Sequence, residues 1–213
     1  MLVHAVTSSL KAVYPPFQVD GVPEDQVWQL FNVSNYKYYL LKVDQLKNGI
    51  CPFCTIYEAV NVPLPVTNPC WHVWENTVAA RNGQEHQFVI PLKRHVRTYA
   101  ELTTMESTQF TELIRDLDVH YHLDGGVLVT RSGNPLRNAK SMDHLHVNYH
   151  VPSGAEKVQI TVAKSASDLN AKLPVLCAFE RMRQLQTQHY DMDDVVALLQ
   201  QTGQWDLVKD RLK

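Results

Sequence analysis

The stretch His144-Leu145-His146-Val147-Asn148-Tyr149-His150 constrains this chain more than any other. In a β-strand successive side chains point to opposite faces, so an alternation held over seven residues specifies a strand with two unlike surfaces. Leu145, Val147, Tyr149 and Val151 make one face apolar enough for a core. His144, His146, Asn148 and His150 make the other. A lone histidine in a strand is ordinarily a packing residue, whereas three imidazoles and an amide on one face call for chemistry. Such a face could bind a metal through several imidazoles, as a metal-sensing module would. It could also serve nucleophilic catalysis, because a neutral imidazole, with a pKa near 6.5, attacks phosphorus readily at neutral pH and forms a covalent intermediate.

The rest of the pattern supplies a sheet for this strand. Trp71 to Val78 and His86 to Leu92 read as two strands of a hairpin turning at Asn82-Gly83. Thr103 to His122 is the main helix, with Phe110, Leu113, Ile114 and Leu117 at helical spacing and Gly125-Gly126 as its stop. Val127 to Thr130 is a strand, Arg131 to Lys140 a polar loop, and Lys157 to Ala163 alternates as a last strand. Before this block, residues 22–32 suggest a short helix. Tyr36 to Val43 is aromatic and β-branched, and could be a strand, although helix and strand are hard to separate there. Residues 54–60 suggest a helical turn, and the prolines between Val62 and Cys70 impose an extended loop. After Ser165-Ala166-Ser167-Asp168, helices are expected over Leu176 to Gln188 and Asp193 to Leu212. Antiparallel strands with a segregated helix define an α+β fold. The organisation expected is an N-terminal extension over 1–50, a catalytic domain over 51–164, and a helical extension over 165–213 packed on that same domain.

Cys51-Pro52-Phe53-Cys54 has the spacing of a metal-binding or redox pair. The βαβ setting of a thioredoxin-like redox motif is missing, and four cysteines in 213 residues are too few for a disulfide scaffold. The pair supplies two ligands. The other two could be local, Cys70 and His72, or dispersed, His95 and His144. Cys177, in a helical stretch, reads as a packing residue.

Ser141-Met142-Asp143-His144-Leu145-His146-Val147-Asn148-Tyr149-His150 resembles the signature of the histidine-triad superfamily, in which His-x-His-x-His alternates with apolar residues. Phe88-Val89-Ile90-Pro91-Leu92-Lys93-Arg94-His95 is similar to that family's strand and its closing turn. Asn76 stands where the family has a nucleoside-contacting Asn. The resemblance covers about residues 50 to 152. It implies an antiparallel sheet with the main helix packed on one side, and His146 as the nucleophile that attacks the α-phosphate of a nucleotide, flanked by His144 and Asn148. It also implies a structural zinc on Cys51, Cys54, His95 and His144, as in the zinc-bearing branches, and a homodimer. Asn134, Lys140 and Ser141, in the loop that curls over the phosphates in the family, are implied substrate ligands together with Asn76 and His150; Arg137 and Lys140 could equally face solvent.

The third triad position departs from the family. It holds Asn148, and an additional histidine follows at 150. The uridylyltransferase and dinucleoside-polyphosphate phosphorylase branches carry Gln there. An amide can donate a hydrogen bond to a phosphate oxygen but cannot carry a proton, which tilts the expectation toward nucleotidyl transfer or phosphorolysis over hydrolysis. A bulge between 147 and 149 would instead bring His150 into that position. The alternative function is a non-catalytic nucleotide-binding regulator that retains the fold. A net charge of −2 gives no electrostatic case for nucleic acid. No apolar run reaches the roughly 20 residues a membrane span needs, and the N-terminus does not read as a signal peptide. A cytoplasmic protein is expected.

Overall fold

The computed structural model describes residues 17–55, 66–76, 83–133, 138, 140 and 142–212. Helix α1 (Tyr36–Lys47) opens at Asn35, whose side chain accepts from the Tyr38 amide. This corrects the strand expected over Tyr36 to Val43. Tyr36, Tyr39, Val43 and Leu46 are all buried, and their spacing of three and four residues is that of one helical face. The helix expected over 22–32 is a 3-10 helix, Val27–Asn32. One turn, α2 (Pro52–Thr55), follows Cys51, with the Cys54 amide donating to the Cys51 carbonyl. The remainder of the turn expected over 54–60 lies outside the described residues.

Strands β1 (Trp74–Glu75) and β2 (Gln84–Pro91) pair antiparallel. Ahead of β1, Trp71 is joined to Leu92 by a single bridge, and residues 77–78 of the expected strand lie outside the described residues; of the expected turn, Gly83 is described, at φ +72°, and Asn82 is not. Helix α3 (Thr104–Tyr121) starts at a reciprocal cap between Thr103 and Glu106. Its stop is His122 in the left-handed conformation, φ 53°, and not Gly125-Gly126. Gly126 has another reason to be glycine: a β-carbon there would overlap the Tyr149 ring. β3 (Val127–Thr130) and β4 (His146–Pro152) complete a four-stranded antiparallel sheet of order β1-β2-β4-β3. The fold class is α+β.

Lys157 to Ala163 does not form the expected strand. The Thr161 carbonyl accepts from the Arg131 side chain, Nη2 at 2.9 Å, in place of a ladder partner. The C-terminal helices also differ from expectation. α4 (Ala166–Thr187) begins ten residues earlier, at a Ser165/Asp168 cap, and contains Pro174. The helix expected over Asp193 to Leu212 divides into α5 (Met192–Gln201) and α6 (Trp205–Val208), interrupted at Gly203, φ +67°.

Two compact units result. Cys51–Asn138 with Met142–Val162 contains the sheet and α3, and residues through Ile50 join Ala163 onward and the short Ala139–Ser141 segment in a helical unit. In the sheet unit, Phe88 and Ile90 of β2 and Val147, Tyr149 and Val151 of β4 pack with Leu113 and Leu117 of α3. Each such side chain contributes roughly 1.5–3 kcal/mol on burial. In the helical unit, α1 and α4 bury Tyr39, Val43, Leu176 and Phe179. Tyr39 donates to Glu180 at 2.8 Å, and Glu180 also holds Arg183.

Candidate active site and metal cluster

β4 shows the two faces that its alternation predicts. Val147, Tyr149 and Val151 enter the core. His146, Asn148 and His150, 6%, 7% and 5% exposed, occupy the opposite face. The register is unbroken from His146 to Val151 against β2 and from Val147 to His150 against β3; the only irregularity on the β2 side lies at Gln84/His86. No bulge therefore brings His150 forward, and Asn148 is the next residue after His146 on this face. Directly opposite residues share a face, so Val89 and Val129 flank Asn148 while Gln87 and Val127 flank His150.

His146 Nδ1 lies 2.8 Å from the His144 carbonyl oxygen. A carbonyl only accepts, so Nδ1 carries the proton and Nε2 carries the lone pair. One backbone hydrogen bond thereby sets both the tautomer and the ring orientation. The Phe53 ring meets His146 edge-to-face at 5.0 Å, and Trp74 meets Phe53 at 5.7 Å, giving His146 an aromatic flank.

His144 is committed elsewhere. Its Nε2 donates to the Leu92 carbonyl at 2.7 Å, which leaves the Nδ1 lone pair 3.3 Å from Cys51 Sγ and 3.5 Å from Cys54 Sγ. His95 Nδ1 lies 3.3 Å from Cys54 Sγ. The ligand atoms of Cys51, Cys54, His95 and His144 all fall within 4.8 Å of one another, and Cys70 and His72 are not part of this cluster. Zinc with sulfur at about 2.3 Å and nitrogen at about 2.0 Å has tetrahedral S–N edges of about 3.5 Å, so the donor set fits that ion. The Leu92 carbonyl is the outer partner that a ligating imidazole ordinarily has. Burial, and then the neighbouring Cys51, push the Cys54 thiol up to about 12.

The other expected site residues divide. Asn76 is placed on the His150 row: its amide donates to Gln87 Oε1 at 3.0 Å and its backbone amide to the Gln87 carbonyl at 2.7 Å. Asn134, Arg137 and Ser141 lie outside the described residues. Lys140 does not face solvent. It is 1% exposed, belongs to the helical unit, and its carbonyl accepts from Asn32 Nδ2 at 2.7 Å.

Sequence reasoning missed Phe53, Trp74 and Arg131. Arg131 continues the alternation of Val127 and Val129 onto the histidine face, a signal hidden by assigning it to the loop. Burial lowers its pKa, and its Nε is buried with no hydrogen-bond partner among the described residues.

No family model matches the chain, and no curated protein does. Solved structures that it is similar to include a histidine triad nucleotide-binding protein from Candida albicans, 15% identical, covering 66% of this chain and 99% of that one with a TM-score of 0.42. A Zn-bound histidine triad family protein from Mycobacterium smegmatis is 16% identical over 60% of this chain and 96% of that one, TM-score 0.38. A member of the HIT family from Bacillus subtilis is 14% identical over 72% and 94%, TM-score 0.39. These structural neighbours are histidine-triad proteins at low identity. Among the described residues no helix is long and apolar enough to cross a membrane.

Proposed function

We propose that the chain is a nucleotide-processing enzyme of the histidine-triad type, acting through a covalent nucleotidyl-His146 intermediate. The observation that carries this reading is the 2.8 Å hydrogen bond from His146 Nδ1 to the His144 carbonyl, which leaves Nε2 as the nucleophilic nitrogen. Nε2 attacks the α-phosphorus, an N–P bond forms, and the P–O bond to the leaving group breaks with its electron pair staying on that oxygen. An acceptor oxygen from water, phosphate or another hydroxyl then attacks the same phosphorus and loses its proton, and the N–P pair returns to the imidazole. Asn148, the next residue on that face, donates to a non-bridging oxygen as charge develops. It supplies no proton, which favours substrates with good leaving groups, hence transfer or phosphorolysis. Asn76 contacts the nucleoside. Asn134 and Ser141 are kept as phosphate ligands on the resemblance of their loop alone; Lys140, whose side chain is buried within the helical unit, is not.

Zinc on Cys51, Cys54, His95 and His144 is proposed as structural: four protein ligands close the site. His144 then acts as a ligand adjoining the nucleophile. Reduced thiols suit a cytoplasmic protein, and the four cysteines are free. A homodimer is proposed from the resemblance alone and is read by molecular mass in solution.

The test is His146→Asn. The variant keeps the wild-type melting temperature and loses several orders of magnitude in turnover of a nucleotide with a good leaving group. Near-normal turnover by the folded variant removes His146 as the nucleophile. A wild-type protein that binds nucleotide and never turns it over is instead a non-catalytic binding protein.

A further inference from the structure

The helical unit gathers positive charge where α4 begins. Lys164 stands just ahead of the Ser165 cap and donates from Nζ to the Phe31 carbonyl at 2.7 Å. Lys172, about two turns further on, donates from Nζ to the Val33 carbonyl at 2.8 Å and lies 6.0 Å from the centre of the Phe179 ring. Both lysines are half-buried. The two accepting carbonyls sit at the end of the 3-10 helix Val27–Asn32, on residues whose α-carbons are at most roughly 7.6 Å apart. One short stretch of backbone therefore pins both ammonium groups. Helix-end carbonyls lack partners within their helix, and a lysine can satisfy one of them. That accounts for a single N–H of each ammonium and leaves two.

The charge is not accounted for in the same way. A third cation, the exposed Arg211 of the 3-10 helix Lys209–Arg211, is close enough to act on Lys172. Among the described residues none of Lys164, Lys172 and Arg211 forms an ion pair with a carboxylate. The acids of the neighbouring elements are engaged elsewhere. Asp168 acts on Lys164, but its Oδ2 accepts from Ser165 N at 2.8 Å and Ser165 Oγ at 2.7 Å. Asp206 holds Lys209 at 2.8 Å, and Asp210 also acts on Lys209. Three positive charges thus face the one negative charge of Asp168, an excess of two. Burial, then Arg211, then Lys164 bring Lys172 down to about 8 from an ordinary 10.5. Cations that repel one another and are tied to backbone cannot fan apart, so the fold holds their spare N–H groups ready for an anion.

We propose that Lys164, Lys172 and Arg211 form an anion site on the helical unit, which takes a small doubly charged oxyanion of the phosphate class. The excess of two charges matches a phosphate dianion, and its several oxygens match the spare N–H groups of two ammonium ions and a guanidinium. All three residues belong to the helical unit, so the site stands or falls independently of the chemistry at His146. The test is ¹³C NMR of the lysine ε-carbons in the full wild-type chain, titrated with pH in the presence of inorganic phosphate, glycerol phosphate or chloride at matched ionic strength. A bound anion favours the charged amine, so phosphate or its monoester raises the Lys172 pKa from about 8 toward 10.5, saturably, and chloride does not. The tighter of the two tells whether the anion is free or esterified. Arg211→Gln, at an exposed position, weakens that anion roughly 3- to 10-fold, the value of one solvent-screened charged hydrogen bond. Lys209→Gln, two residues away on the same helix, leaves the affinity in place. A Lys172 response that never saturates or that chloride reproduces means an adventitious ion only, and overturns the site. Unchanged affinity in Arg211→Gln, or an equal loss in Lys209→Gln, overturns it as well.

Discussion

Glu106→Ala removes four hydrogen bonds at the point where α3 joins the turn that carries His95. The carboxylate accepts from Thr103 N at 2.8 Å and Thr103 Oγ1 at 3.0 Å, closing the N-terminal cap, and from Arg94 Nε and Nη2 at 2.9 and 2.8 Å. Thr103 still accepts from the residue-106 amide, so the reciprocal half of the cap is lost, about 1 kcal/mol and at most about 2. The Arg94 guanidinium is half exposed, so solvent screens its pair with Glu106 and the pair adds little. For a chain of this size the cap alone corresponds to a fall of about 3–6 °C in melting temperature. The pH dependence has a fixed sign. Hydrogen bonds from Arg94, the largest cause, hold the carboxyl down at about 2 against an ordinary 4.5. A depressed carboxyl stabilises the fold above its unfolded value and loses that contribution as pH falls through its folded value. Differential scanning calorimetry of wild type and variant therefore shows the full gap at pH 7, narrowing below about 4.5 and closing near 2. Equal melting temperatures at pH 7, or a gap that stays constant down to pH 2, would refute this reasoning.

Three further outcomes are expected. Chelation of metal, or Cys54→Ser, lowers the melting temperature and the zinc content together, from about one ion per chain, because metal binding to such a site is folding free energy; a metal-free protein of unchanged stability removes zinc from the account. Gly126→Ala costs about 1–3 kcal/mol of stability, since the new β-carbon overlaps the Tyr149 ring, whose hydroxyl is anchored to Asp118 at 2.6 Å; a neutral effect in urea unfolding contradicts the close approach. Asn148→Ala slows nucleotidyl transfer by about 2–4 kcal/mol of barrier if its amide serves the developing oxyanion, and full activity by steady-state kinetics makes that amide a bystander.

The parts of the fold that were legible in sequence are those in which one periodicity dominates. The two-faced β4 follows from strict alternation, and α3 from Leu113 and Leu117 on one face behind a Thr103/Glu106 cap. α1 was obscured because Tyr36, Tyr38, Tyr39 and Val43 favour strands locally, while tertiary burial of every third or fourth residue decided the outcome. Pro174 hid the first half of α4, although the cap at Ser165 and Asp168 was present to be read. Lys157 to Ala163 alternates without pairing, and its Thr161 carbonyl is taken by the Arg131 side chain, a partner that no local pattern encodes. At the site, the histidine face was legible, but the tautomers of His144, His146 and His150 were not. Each is set by one acceptor: the Leu92 carbonyl, the His144 carbonyl and the Gln84 side chain.

In the proposed reaction His146 Nε2 becomes bonded to phosphorus. Rapid acid-free quenching of wild-type protein with a nucleotide labelled at its α-phosphate, followed by peptide mapping under alkaline conditions, tests it most directly. An acid-labile, alkali-stable label is expected on the peptide containing His146, absent from His146→Asn and discharged when acceptor is added. Turnover with no labelled protein at any quench time, or label on His144 or His150, would contradict it.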